Sequence, residues 1–314
     1  LLVEQGQGLY SFSHSAFQVL LTARNFTSSS NPQTLDRRLE QLAARMNEPR
    51  WFEVLLCTAS MLEDAAPLLQ LMQQQSNRLV ADAKLQQFLI WLYQKSLAVQ
   101  TSYKPAAVRA FYLNLVLSRK FYLNRDCSLA LILDPGLAGN LVPDLALDLA
   151  LERVLRLSLN LSHSPKLDHI TALLFAFPLD CDSIHSSKLQ DNVMRSRLDE
   201  SLQELKNQLP GIEGEATLNA WWLTHGEAWT KKLKAVMIQH RNIGHSWLFS
   251  DQQWKSLMQF EQSSKCLLDC LRSGCHLTPT VRNEIEEGLL SPSRMLRESV
   301  SHDQEVGTYP SAFD

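Results

Sequence analysis

Apolar residues recur at intervals of three and four along most of this 314-residue chain. That spacing places them on one face of an α-helix, because a helix has about 3.6 residues per turn. Glycine, the residue that most weakens helices, is scarce, with 11 residues in the chain. We therefore expect an all-α protein, a multi-helix array or bundle in which short connections join antiparallel neighbours.

Capping residues predict several helix starts. Small polar side chains accept hydrogen bonds from the first free amides of a helix, and proline is already preset for the first turn. A glycine just past the last apolar position predicts a helix end, as at Gly274. The predicted starts are Asn31–Pro32, Pro105, Asp251 and Thr278–Pro279.

The middle of the chain has a different pattern. Between Leu145 and Leu161, leucine recurs at almost every second position, which is formally the alternation of a β-strand. However, Leu, Ala, Glu and Arg form helices well, and Val154 is the one β-branched residue of the run. We favour a helix that is buried among others, with a strand as the alternative.

Charge and composition exclude several classes of protein. The formal net charge is only -3, so no overall field recruits nucleic acid or anionic lipid. No apolar run reaches the roughly 18 residues that cross a membrane. The 6 cysteines lack the spacing of a disulfide framework, which favours the cytoplasm. Because the first residue is Leu1 and no signal peptide follows, we expect an excerpt of a longer protein.

One short motif is more specific than these patterns. Residues 9–18 read Leu-Tyr-Ser-Phe-Ser-His-Ser-Ala-Phe-Gln, which resembles the F-S-H-x-x-F-Q signature that closes the winged-helix part of NACHT-type signal-transduction ATPases (STAND NTPases). Further stretches are similar to the C-terminal helical regions of cyanobacterial members of this family. These stretches are residues 48–56, 84–92, 240–250, 266–271 and 281–287.

The resemblance implies a role for each residue of the motif. By position, His14 would reach the β-phosphate of bound ADP and help to hold the inactive state. An imidazole N–H can make a charge-assisted hydrogen bond to phosphate. Phe12 and Phe17 would be packing residues, and Gln18 would help to fix the turn. Residues 19–20 are Val and Leu where the family usually has Glu and Tyr, and the alternative is an ordinary surface or capping histidine.

Together, the motif and the helical patterns predict how the chain is divided. The N-terminal segment would be the end of a winged-helix domain, followed by a helical-array domain and a leucine-rich helical segment. A C-terminal helical domain and a flexible polar tail would complete the chain. The predicted ranges are 1–28, 29–120, 121–195, 196–298 and 299–314.

The resemblance also implies a function. The chain would be a non-catalytic regulatory and sensing region in bacterial antiphage defence. Its partners would be an upstream NACHT ATPase module that binds ATP or ADP, an unknown trigger and further copies of the parent protein. No G-x-x-x-x-G-K-[ST] motif is present, so we assign this chain no catalytic residue and no cofactor. The alternative is a helical protein–protein interaction adaptor without a link to nucleotide.

A third reading is a helical ribonuclease. Residues 241–245, Arg-Asn-Ile-Gly-His, resemble an R-N-x-x-x-H motif in which Arg and His flank a scissile phosphate. The spacing is one residue short, and Gly244 is expected to break the helix that would align the two side chains. We favour a helix end with a basic last turn.

Two further clusters have a functional and a structural interpretation. Three cysteines and a histidine could supply zinc ligands, although buried reduced thiols are favoured. Five tryptophans beside three lysines could line a groove for a ligand or single-stranded nucleic acid, although core packing and a solvated face are favoured. We therefore assign no metal site, and neither nucleic acid nor membrane is an expected partner. The residues are Cys266, Cys270, Cys275, His276; Trp221, Trp222, Trp229, Trp247, Trp254; Lys231, Lys232 and Lys234.

Overall fold

The computed structural model describes residues 2–29, 31–121, 128–139, 141–163, 173, 192–210 and 215–293. Within those residues it contains twelve α-helices, two short 3-10 helices and one two-stranded sheet. The prediction of an all-α, multi-helix array is therefore confirmed. The predicted tail at 299–314 and much of the predicted segment 121–195 lie outside the described residues.

The chain begins with a β-hairpin. Strands β1 (Leu2–Gly6) and β2 (Leu9–Phe12) are antiparallel, with Leu2 opposite Phe12. Gly8 has a φ of 84°, a left-handed conformation that glycine adopts at little cost. Helix α1 (Ser15–Thr27) follows directly. The hairpin and helix occupy the segment that we predicted to end a winged-helix domain, and that assignment stays a prediction.

The next helices form the array. Asn31 Oδ1 accepts a hydrogen bond from the amide of Gln33 at 3.0 Å, which confirms the predicted start of α2. Helix α1 packs against α2 and α3, α2 packs against α4, and α5 packs against α6. The bounds are α2 (Pro32–Ala43), a 3-10 turn (Pro49–Trp51), α3 (Phe52–Met61), α4 (Ala66–Arg78), α5 (Ala83–Ala98) and α6 (Pro105–Phe121).

The leucine-rich stretch is a helix, as favoured. Helix α7 (Ser128–Leu133) and a 3-10 turn (Pro135–Ala138) precede α8 (Pro143–His163). Helix propensity decided the outcome over the formal alternation, because leucines on all sides of a helix can be buried by several neighbours. The leucines at 145, 151, 155 and 161 are fully buried.

Four helices complete the described chain: α9 (Asn192–Gln208), α10 (Glu215–Arg241), α11 (Asp251–Arg272) and α12 (Pro279–Gly288). The cap that we predicted for α11 was wrong by one residue. Ser250 is the cap, because its hydroxyl accepts from the amide of Gln253 while the Gln253 side chain accepts from the amide of Ser250. Asp251 is the first helical residue, where a carboxylate favours the helix dipole.

The last two helices return to the array. Helix α11 packs against α3, α4 and α7, and α12 packs against α4 and α6. Arg109 on α6 is buried and donates to the carbonyls of Glu287 and Leu289 at 2.6 and 3.0 Å. The hydrophobic core is therefore continuous across residue 196, where we placed a domain boundary. The five domain ranges stay predictions.

Helices α8, α9 and α10 form a second layer beside the array. Helix α10 packs between α8 and α9, and α8 contacts α6. The loop of residues 242–250, which follows α10, also reaches the array, where the Trp91 indole on α5 donates to the carbonyl of Asn242 at 2.9 Å. The two layers therefore meet where α10 ends, and this junction holds most of the buried charge described next.

Candidate functional site

The predicted nucleotide-sensing residue lies at an exposed turn. His14 separates β2 from α1 and is the N-cap residue of the helix, with extended backbone and no side-chain capping bond. Its carbonyl accepts from the amide of Phe17 at 3.1 Å. The imidazole is exposed to solvent, so a group outside the described chain can approach it.

The other motif residues lie in the same turn. Phe12 and Phe17 are half-buried and Gln18 is exposed, while the rings of His14 and Phe17 lie 6.1 Å apart. The structure therefore brings the four predicted residues together.

A buried ionic cluster, which we call the Asp148 junction, connects the two layers. The carboxylate of Asp148 on α8 is fully buried. It accepts hydrogen bonds from Lys95 on α5 at 3.0 Å, Tyr112 on α6 at 2.6 Å and Arg241 on α10 at 2.6 Å. One carboxylate therefore joins four helices, and its three donors satisfy a charge that burial would otherwise penalise.

Two further contacts complete the Asp148 junction. Arg241 also pairs with Asp144 at 2.7 Å, and Lys95 donates to the carbonyl of Arg241 at 2.8 Å. Burial lowers the pKa of Lys95, although Asp148 opposes that shift. Burial, and then the charge of Asp148, raise the pKa of Tyr112 well above its usual value, so its phenol remains a donor.

The loop beyond α10 continues this polar region. Glu152 on α8 accepts from the amide of Gly244 at 3.2 Å and lies 3.6 Å from Arg119. Burial raises the pKa of Glu152, opposed by Arg119. His245 is buried, with its Nε2 atom 2.7 Å from Asn242 Oδ1. Burial, and then the charges of Arg119 and other nearby cations, lower the pKa of His245 to about 4.

This geometry bears on the ribonuclease reading. Helix α10 ends at Arg241, three residues before the Gly244 that we expected to break it, and Asn242 and Gly244 have φ values of 51° and 84°. The Arg241 guanidinium is occupied by two carboxylates, and His245 is a neutral packed ring at neutral pH. Arg241 belongs to the Asp148 junction and His245 packs against Trp91 and Trp247, which argues against their acting on a scissile phosphate.

The sequence contained a signal for the Asp148 junction that our reading missed. Asp144, Asp148 and Glu152 are spaced by four in a helix where leucine recurs at almost every second position. Residues four apart share a helix face, so these carboxylates form one acidic stripe on a buried helix. Such a stripe requires buried cations, and the structure supplies Lys95, Arg119 and Arg241. Their positions far away in the chain could not be read from the pattern.

The cysteines considered as zinc ligands are reduced and buried. The thiols of Cys266 and Cys270 are hydrogen-bonded, and that bond together with burial raises the pKa of Cys270. Burial also raises the pKa of Cys275. Among the described residues, no group of three or more His, Cys, Asp or Glu side chains is arranged to hold a metal ion.

The five tryptophans belong to two separate clusters. Trp221, Trp222 and Trp229 contact one another along α10, with ring centroids 5.8 and 6.1 Å apart. Trp247 and Trp254 flank Phe249 at 5.8 and 5.0 Å. Because three of the five rings are core residues and the other two pack against the core, the tryptophans do not line one common groove.

The three lysines of α10 have different local partners. Lys231 pairs with Glu227 at 2.7 Å, and Lys232 donates to Gln208 at 3.3 Å. Lys234 donates to the hydroxyl of Ser246. Because each lysine has a different partner, the three ammonium groups do not form one basic patch with the tryptophans. Across the described ranges, moreover, no helix has the length and apolar character to span a bilayer.

The described residues form a two-layered helical protein with buried ionic contacts between its layers. Comparison with known families then adds a specific relationship. Residues 198–292 match the family model described as NACHT C-terminal Helical domain 2, so this part of the chain is a NACHT-associated helical region. The match includes Arg241 and His245. No curated protein and no solved structure matches the chain.

Proposed function

We propose that this chain is the non-catalytic regulatory and sensing part of a NACHT-type signalling ATPase of cyanobacterial type. The observation that carries the proposal is the NACHT C-terminal helical domain at residues 198–292. ATP or ADP binds in a NACHT module elsewhere in the same protein, which acts in the cytoplasm in antiphage defence. The helical array detects a trigger, and the ATPase module then oligomerises.

The surface of the N-terminal hairpin and α1 supports this arrangement. Among the described residues, twelve large hydrophobic side chains are exposed, and six of them lie between positions 2 and 21. An isolated two-stranded hairpin is marginal in water, and exposed apolar patches usually mark an interaction site. The six are Leu2, Val3, Leu9, Tyr10, Leu20 and Leu21. This surface is where the nucleotide-binding module packs.

His14 lies at the edge of that surface and would link it to nucleotide. A donor that contacts the β-phosphate of ADP stabilises the ADP-bound closed state. A trigger that binds the open state more tightly shifts the equilibrium away from that state, by no more than its difference in affinity for the two. His14 is exposed and makes no capping bond of its own, so its imidazole is available for this contact.

The test uses the full-length parent protein and measures release of bound fluorescent ADP. Because a hydrogen bond to a charged group contributes about 1.5–3 kcal/mol, His14→Ala should speed ADP release by roughly 10-fold or more. His276→Ala is the matched control, since His276 is exposed in the connection between α11 and α12, outside the motif, and it should leave release unchanged. Unchanged ADP retention in His14→Ala would remove His14 from the mechanism.

A further inference from the structure

The chain enters and leaves the second layer at one place. Helices α8, α9 and α10 are consecutive among the described helices, and the chain enters this layer at Pro143 and leaves it at Arg241. The two ends lie together, because the Arg241 guanidinium pairs with the Asp144 carboxylate at 2.7 Å and donates to the Asp144 carbonyl at 3.2 Å. A layer whose two ends meet can turn about that point as one body.

Each connection between this layer and the array contains a glycine. Gly139 precedes α8, with φ and ψ values of -83° and -101°. Gly244 follows α10 and has a φ of 84°, and the nearby Asn242 has a φ of 51°. Hinges are short connections that absorb large changes of backbone angle and often contain small residues, and glycine adopts many backbone conformations at little cost. Both connections therefore have the composition of a hinge.

The contact between the two layers is rich in buried charge. Helix α10 packs against α8 and α9, while α8 packs against α6 of the array. Four charged residues are buried in the part of the chain that the structure describes, and three of them, Lys95, Asp148 and Glu152, lie where the layers meet. The cost of removing such groups from water offsets much of their mutual attraction. When all partners return to water together, the net cost is therefore small.

Packing inside the array is different. Helix α11 packs against α3 and α4, and none of the buried residues of these three helices is charged. The buried hydrogen bond between α4 and α11 joins two hydroxyls, Ser76 and Ser263, at 2.7 Å. Separating these helices would expose apolar surface, which is unfavourable in proportion to its area. The boundary beside the Asp148 junction is therefore the one that opens at the lower cost.

The aromatic residues of the 242–250 loop stay with the array in such a movement. Trp247 and Phe249 are buried, and both pack edge-on against Phe88 of α5, with ring centroids 4.9 and 5.6 Å apart. Lys84, also on α5, holds the same part of the loop through the carbonyl of Leu248 at 2.7 Å. The loop therefore bends before these residues, at the segment that contains Gly244.

We propose that the second layer moves away from the array as a folded unit, about hinges at Gly139 and Gly244, when the Asp148 junction becomes hydrated. The movement uncovers Lys95 and Tyr112 on the array, whose own core stays intact. It gives the chain two arrangements, and a binding partner can select between them. Its test is separate from that of the ADP contact, because the movement requires neither nucleotide nor trigger.

The first test measures the distance between the layers in the full chain by single-molecule FRET. The dyes are placed at Leu97 on α5 and Leu223 on α10, which are 44% and 75% exposed. We expect one dominant distance in the original protein, and in Asp148→Asn a longer distance that is populated at least tenfold more. The matched control pair, Leu97 and Met258, lies within the array and should keep one distance in both proteins. An unchanged distance between Leu97 and Leu223 in the variant, or an equal change in the control pair, would overturn the proposal.

The second test uses the unsubstituted chain and separates release of the layer from unfolding. Lys95 is buried at the junction, whereas Cys270 is buried in α11 of the array. The chain is treated with an amine reagent and with a thiol reagent, and each rate is divided by the rate for the same residue in the urea-unfolded chain. Release of the layer exposes Lys95 and leaves Cys270 covered, so the relative rate of Lys95 should be at least tenfold higher. Equal relative rates would mean that the layers separate only when the whole chain unfolds, and the proposal would fail.

Discussion

Two histidines, each at a turn beside a helix end, have opposite environments in this protein. His14 precedes α1, is exposed and makes no capping bond. His245 follows α10, is buried, and lies between the rings of Trp91 and Trp247 at 6.2 and 5.8 Å. The difference comes from what packs on each turn. The helical array covers the turn at His245, whereas the turn at His14 is exposed to solvent.

This comparison shows what a motif histidine can do. A buried imidazole whose pKa is lowered to about 4 stays neutral and serves as a packing and hydrogen-bonding group. An exposed imidazole can bind an external anion. The loop after α10 is thus a joint within the fold, while the turn at His14 has an outer surface left for another module.

The largest predicted effect on stability is at the Asp148 junction. Asp148→Ala would leave Lys95 and Arg241 buried without their shared carboxylate, and removing one partner of a buried pair costs about 3–5 kcal/mol. The free energy of unfolding, measured by urea titration, should fall by that amount. Asp144→Ala is the matched control, because the Asp144 side chain is 25% exposed and Arg241 keeps its bond to Asp148 without it, so its loss should be smaller than that of Asp148→Ala. Equal losses would contradict a central role for Asp148.

An intermediate effect on stability is expected when His245 becomes protonated at low pH. The pKa of about 4 lies below the value of about 6.5 for an unfolded histidine. Between these values the unfolded state binds more protons, so stability should fall as the pH drops from about 6.5 to about 4. The slope is at most about 1.4 kcal/mol per pH unit, measured by urea titration at several pH values.

His245→Gln provides the control for this pH dependence. Glu152 affects the pH dependence of stability in the opposite direction. Because burial raises its pKa, the free energy of unfolding falls as the pH rises and this carboxyl ionises. The free energy of unfolding is plotted against pH for the original protein and for His245→Gln. The difference between the two plots removes the contribution of Glu152, which both proteins share. Parallel curves would show that His245 is not the group that titrates.

The smallest predicted effect is at the exposed turn. His14→Ala should change the free energy of unfolding by less than about 0.5 kcal/mol, as surface substitutions usually do. The reason is that its imidazole makes no capping bond. A loss above about 1 kcal/mol would show that His14 supports the hairpin, and the contrast with His245 would disappear.

Much of the fold could be predicted because its causes are local. Helix periodicity, the caps at Asn31 and Thr278 and the propensity of the leucine-rich run depend on residues within one or two turns. The cap of α11 was assigned one residue late because Ser250 and Asp251 are both good capping residues. The hydrogen bonds of Gln253 decide between them.

The two sites differed in how far sequence could predict them. The residues around His14 are contiguous, so their grouping followed from the motif. The Asp148 junction joins residues 53 and 93 positions apart in the chain, and no local rule pairs them.

Local sequence was enough to predict that the chain is helical, where many of its helices begin, and which residues form the turn at His14. The reason is that hydrogen bonding, capping and periodicity act over a few residues. Which carboxylate lies at the centre of the Asp148 junction, which histidine is buried and which leucine faces solvent became known from the folded structure alone. Burial and charge pairing depend on helices that are distant in sequence and meet only in the folded protein.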